Sequence, residues 1–119
     1  MAREGWHTIT PRLFVDDPSR LVAFLVDVFG AQGELSKDDK PTTLRIGDSN
    51  LMIGSTEWRR ATSSLLKVYV DDVDATYARA IAAGATSLEE PADMPWGDRR
   101  AMIADQFGTD WQIATPLEP

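Results

Sequence analysis

Apolar and polar positions alternate from Thr10 to Val15 around Leu13 and Val15, the pattern of a half-buried strand. The period then changes. Leu21, Val22, Phe24, Leu25, Val28 and Phe29 recur at helical spacing and make one apolar face. Asp17 offers an N-cap carboxylate ahead of them, and Pro18 suits the first helical position. Gly30 can adopt the left-handed conformation that stops a helix. The same plan returns from Leu65: a strand to Val70, a cap near Asp72, a helix carrying Val73, Tyr77, Ala80 and Ile81, and a stop at Gly84.

The two phrases FVDDPSRLVAFLVDVFGA and YVDDVDATYARAIAAGA place Asp16-Asp17 and Asp71-Asp72 55 residues apart, so the chain repeats one unit. Extended segments follow each helix. Leu44 to Ile46 and Leu51 to Ile53 flank a turn at Gly47-Asp48-Ser49-Asn50, and Met102 to Ala104 and Trp111 to Ala114 flank a longer turn from Asp105 to Asp110. In that longer turn Asp105 suits bonding to the backbone and Gly108 a positive φ. The fold class expected is α+β within one domain spanning 1–119, with module one at about 8–55, a polar linker at about 56–64 and module two at about 65–115. Two tandem βαβββ modules would form a cup-shaped mixed β-sheet with the helices outside. One helix per sheet leaves the other sheet face to a partner or a ligand.

Composition narrows the setting. Of 119 residues 43% are hydrophobic and 26% charged, which suits a globular core. Cysteine is absent, so there is no disulfide framework, thiol nucleophile or thiolate metal site. The opening MAREGWHTIT lacks a signal peptide's apolar region, and no run is long enough to span a membrane, so a cytoplasmic location is expected. A net charge of −7 opposes nucleic acid and anionic membranes as partners.

The tandem modules, with AGATSLEEP, WGDRRAMIADQFG and W-Q-I-A-T in the same order, resemble the glyoxalase/bleomycin-resistance/dioxygenase superfamily, also called vicinal oxygen chelate proteins. The resemblance covers nearly the whole chain and is closest to small glyoxalase-like members. It implies four inward positions where metal-dependent relatives carry His, Gln or Glu, and here these are Thr10, Met52, Leu65 and Gln112. A hydroxyl, a thioether, an alkyl group and an amide make a poor set for a divalent ion, so neither metal nor other cofactor is expected.

By the alternation of side chains along a strand, Thr10, Arg12 and Phe14 would face the cup from one module, and Leu65, Lys67 and Tyr69 from the other. Arg12 pairs with Lys67 in the repeat and Phe14 with Tyr69, which suits a planar ligand carrying an anionic or phenolic oxygen. The alternative is that both cations face water. Trp96, in the Pro- and Gly-bracketed loop DMPWGDRR, is read as a lid or as a packing residue at a dimer seam. Arg99 or Arg100 beside it would contact the ligand or pair with Asp98, and Arg99 is counted with the pocket. Trp111 is expected in the core and Trp58 as a packing anchor. The acidic runs Asp38-Asp39 and Glu89-Glu90 read as solvated loops, and His7 as a surface or dimer-contact residue rather than a base.

The function expected is metal-free binding of a small aromatic or anionic molecule by a homodimer, a drug- or metabolite-sequestering role. The alternative is a metal-independent isomerase, cyclase or lyase using Tyr69, Lys67 or His7, and metal-dependent lyase or dioxygenase chemistry ranks third. Whether any reaction is catalysed stays open from the residues alone.

Overall fold

In the computed structural model, which describes residues 2–38 and 40–118, the first change of period becomes β1 (Arg12–Val15) followed by α1 (Pro18–Phe29). The strand starts two residues later than the alternation predicts. Pro11 has no N–H to give a ladder, although its carbonyl accepts from Met52 N at 3.0 Å. Thr10 therefore sits half-buried ahead of the strand. Asp17 is the N-cap residue of α1, but its carboxylate does not cap the backbone. The Ser19 hydroxyl donates to it at 2.6 Å and holds the carboxyl below its ordinary range. Gly30 closes the helix at φ 66°, as its position predicted.

The chain folds as two units, Met1–Thr62 and Ser63–Pro119. In the first, β2 (Thr42–Ile46) and β3 (Ser49–Ser55) form a hairpin, and the sheet order is β1-β3-β2 with β1 parallel to β3. Ile46 pairs with Ser49, so the turn is the two residues Gly47-Asp48, tighter than the four expected. Alternation puts Leu13, Val15, Leu44, Leu51 and Ile53 on the face covered by α1, where Leu21, Leu25 and Val28 are fully buried. Each such side chain contributes about 1.5–3 kcal/mol by leaving water.

The second unit follows the complete plan: β4 (Ser64–Tyr69), α2 (Val73–Ala82), β5 (Thr86–Asp93), β6 (Asp98–Ala104) and β7 (Thr109–Pro116), in sheet order β4-β7-β6-β5. Here the cap works as expected, Asp72 accepting from Ala75 N at 3.1 Å. The first unit keeps the same β-α-β-β-β order with one strand reduced: after α1 only Gln32 pairs, as a single bridge to Arg45 of β2. Gly33 follows at φ 132°, pressed so close to Thr43 and Leu44 that a Cβ would clash, and the chain leaves the sheet there.

β5 corrects the reading of Glu89-Glu90 as a loop: both lie in a strand, with register shifts on either side of Glu89 that accommodate Pro91. Of the other acidic run, Asp38 is exposed and Asp39 lies outside the described residues. Trp111 is core, 2% exposed, beneath α2 with Ile103 and Ile113. No described helix is long and apolar enough to cross a membrane.

Candidate functional site

Each sheet has one face packed on its own helix and one that is not. On the first unit's unpacked face, Arg12, Met52 and Thr43 stand in one row and Phe14 lies opposite Gly54 in the next. A Cβ on Gly54 would come within 2.8 Å of the Phe14 ring and 2.9 Å of the Trp58 ring. Glycine is what lets both rings settle on the sheet. The Arg12 guanidinium stands 5.1 Å from the centroid of Phe14. Beside the start of α1 lies a cavity of about 370 Å³, walled by Ile53 and Trp58 and rimmed by Asp16, Asp17, Asp38 and Glu57. None of the residues singled out from the sequence as ligand-binding lines it.

The second unit's unpacked face holds a denser group. Lys67, Gln112, Met102 and Glu89 form one row across β4, β7, β6 and β5, and Tyr69, Ala114, Arg100 and Ala92 the next. Lys67 Nζ donates to Asp98 Oδ2 at 3.1 Å and lies 4.8 Å from the Tyr69 ring centroid. Tyr69 first, and the Asp98 carboxylate after it, raise the Lys67 pKa above its ordinary value. Arg100 Nη2 donates to Glu89 Oε1 at 2.8 Å while its guanidinium stacks 5.1 Å from the Trp96 ring. Arg100 Nε is buried with no hydrogen-bond partner among the described residues, and leaving such a donor unpaired costs about 1–3 kcal/mol. Tyr69 and Trp96 are each 60% exposed, and Leu65 is 58% exposed beside them on β4. Gln112 Nε2 makes only a long contact, 3.9 Å, to Met102 Sδ.

The structure thus gathers Arg12, Phe14 and Met52 on one sheet face, and Leu65, Lys67, Tyr69 and Gln112 on another with Trp96 at its margin. Thr10 stands before its strand. Arg99 does not join them. It lies on the helix face, where Nε and Nη2 grip both oxygens of Asp74 at 2.8 and 3.0 Å and Nη1 donates to Asp93 at 3.0 Å. This clamp lowers the Asp74 pKa and raises that of Arg99. Asp98, expected beside an arginine, pairs with Lys67 instead. His7 is exposed in the lead-in to β1.

A model of the Glyoxalase/Bleomycin resistance protein/Dioxygenase superfamily matches residues 6–113. The chain belongs to this superfamily. Among its relatives, an uncharacterized Mycobacterium bovis protein, Mb0911c, is 31% identical over 92% of this chain and 83% of its own length. TioX from Micromonospora sp. ML1 superposes with a TM-score of 0.79 at 29% identity, over 93% of this chain and 99% of that one. A superfamily enzyme from Burkholderia phytofirmans PsJN gives 0.77 at 26% identity, over 89% and 95%.

The superfamily includes metal-dependent members, whose ligand positions the resemblance carries onto four residues of this chain. Thr10, Met52, Leu65 and Gln112 offer no carboxylate and no imidazole, and hard or borderline divalent ions are poorly held by a thioether and an amide. Among the described residues no group of three or more His, Cys, Asp or Glu is placed to hold an ion. These four side chains do not fit a divalent metal.

Of Asp98, Arg100, Met102 and Glu89, the sequence offered Arg100 only as an alternative to Arg99 and Asp98 only as a partner for either, and it did not single out Met102 or Glu89 for this face. A signal existed for two of them: Ala101 and Ile103 are apolar, so Arg100 and Met102, which alternate with them, must face the other way. No comparable signal marked Glu89, because the irregular register of β5 breaks the alternation.

Proposed function

We propose that this superfamily member binds a small organic molecule containing an aromatic ring on the unpacked face of its second unit, without a metal ion and as a homodimer. The role is sequestration of a drug or metabolite. The observation that carries this reading is the pair of 60% exposed rings, Tyr69 and Trp96, each with a cation held against it. Two large rings left open, one on a sheet face and one at its margin, make a candidate interaction surface. An aromatic ligand packed against either gains about 0.5–1.5 kcal/mol beyond its buried area. Proton-transfer chemistry is poorly served on this face. Lys67, the candidate base, is held protonated by its neighbours, and a base must be unprotonated near neutral pH to act.

Native mass spectrometry of the untagged protein, with Ni²⁺, Zn²⁺, Fe²⁺ and Mn²⁺ offered separately, tests the reading. The expected spectrum is a dimer without stoichiometric metal, carrying organic mass that Trp96→Ala removes. Stoichiometric metal uptake, or organic mass indifferent to Trp96→Ala, would overturn it.

A further inference from the structure

We infer that the ligand face of the second unit selects uncharged aromatic molecules bearing a hydrogen-bond acceptor over carboxylates of the same shape, and that Glu89 and Asp98 enforce the choice. The inference rests on the reading that this face is a ligand site, and narrows its ligand class.

Two cations usually suggest an anion site, but neither cation here is unpaired. Lys67 is joined to Asp98, whose side chain is only 12% exposed, and Arg100 to Glu89. A molecule arriving at Tyr69 and Trp96 meets two neutralised ion pairs. A carboxylate would have to displace Asp98 or Glu89 from its cation or lie beside it, and like charges at that distance repel. Building repulsion against the wrong ligand is how a site gains selectivity beyond its attractive contacts. The −7 charge of the whole chain acts in the same direction.

Hydrogen bonding remains available to a neutral acceptor. An ammonium has three donors and a guanidinium five. Among the described residues, only one Lys67 bond and one Arg100 bond are made to the facing acids. Arg100 Nε is the donor most in need of a partner, since it is buried and has none among the described residues. The guanidinium stacks on Trp96, so a ligand that shifts this exposed ring and presents a carbonyl oxygen beside Arg100 satisfies Nε without adding charge. A carboxamide or a ring carbonyl has that chemistry, and a carboxylate brings the same oxygen with a charge the facing acids oppose.

The test uses the matched probes 2-naphthamide and 2-naphthoate, which share a ring system and differ in charge at neutral pH. Each is titrated calorimetrically into the full-length protein at fixed ionic strength, with tryptophan emission of wild type and Trp96→Phe followed in parallel. The expected result is a preference for the naphthamide of about tenfold or more. Glu89→Gln should collapse or reverse it while the naphthamide still binds. Asp98→Asn should act likewise, but Asp98 is buried, so the more exposed Glu89 is the primary variant and its thermal melt is checked first. A wild type that prefers the naphthoate, or an unchanged preference in a folded Glu89→Gln, overturns the charge selection and leaves the ligand site standing. If neither probe binds at millimolar concentration and Trp96 emission is unmoved, the ligand-site reading fails instead.

Discussion

Asp105→Ala isolates what holds the turn between β6 and β7. Asp105 Oδ1 accepts from Phe107 N at 2.8 Å and Thr109 N at 3.1 Å, and Oδ2 accepts from the Trp111 indole N–H at 2.9 Å. The residue is only 8% exposed, and the Thr109 and Trp111 bonds are both buried. Hydrogen bonds to charged groups are worth about 1.5–3 kcal/mol each, and a buried donor deprived of its acceptor is not rescued by water. Two such bonds, with partial relaxation of the turn, give a loss of about 3–5 kcal/mol. Against a total of about 5–15 kcal/mol for a domain, that is a large fraction, and it should lower Tm by about 10 °C or more. Urea unfolding followed by far-ultraviolet circular dichroism measures it without relying on Trp111 emission. Asp105→Asn should fall between, since the remaining carbonyl serves the two amides while its NH2 faces the indole donor to donor. A cycle with Trp111→Phe completes the argument. Trp111→Phe also leaves a cavity in the core, so it should cost stability in both backgrounds, and more beside Asp105 than beside Ala at that position. An Asp105→Ala loss below about 1 kcal/mol, or strict additivity in the cycle, would refute the hub.

Two further outcomes follow from the geometry. Gly54→Ala drives a methyl into the Phe14 and Trp58 rings. It should cost about 1–3 kcal/mol by overpacking and shift Trp58 emission, while Gly47→Ala, with open space around it but φ 59°, should cost less and leave that emission alone. The Arg99 clamp depresses the Asp74 pKa below its ordinary 3.8, so its stabilisation is complete above that pH and disappears as pH falls through the lower folded-state value. The stability difference between wild type and Asp74→Asn should be flat from pH 7 to about 5 and shrink toward pH 2.5; a difference that grows on acidification contradicts the assigned sign.

The repeat, both helices and the helix-facing parity were legible because each rests on a strong local signal: the change from a two-residue to a helical period, Pro18, Gly30 and the paired aspartates. Trp111 could be placed in the core because its parity matched Ile113. Legibility failed where local rules conflict with pairing. Pro11 truncated the strand that should have carried Thr10. Glu89-Glu90-Pro91 reads as a loop by propensity, yet β6 draws it into the sheet, with the Arg100 ion pair at Glu89. The choice between Arg99 and Arg100 turned on where the DMPWGDRR turn ends. The backbone bonds from Met94 N to Asp98 O and from Gly97 N to Met94 O settle that, and such bonds leave no mark on composition.

The parallel pairs in this fold have a kinetic consequence. Arg12 meets Met52 and Ser64 meets Thr109, each across some forty residues of chain, whereas the hairpins β2–β3 and β6–β7 close locally. Closing a long loop spends entropy before its contacts return any, so the parallel pairs form late and slowly. Lys67 and Tyr69 lie on β4, the strand that waits for that closure, while Arg100 and Glu89 meet through the local β5–β6 pairing. Loop-closure entropy thus predicts that a nascent second unit makes its arginine pair before Tyr69 docks, so the face proposed for the ligand is completed last.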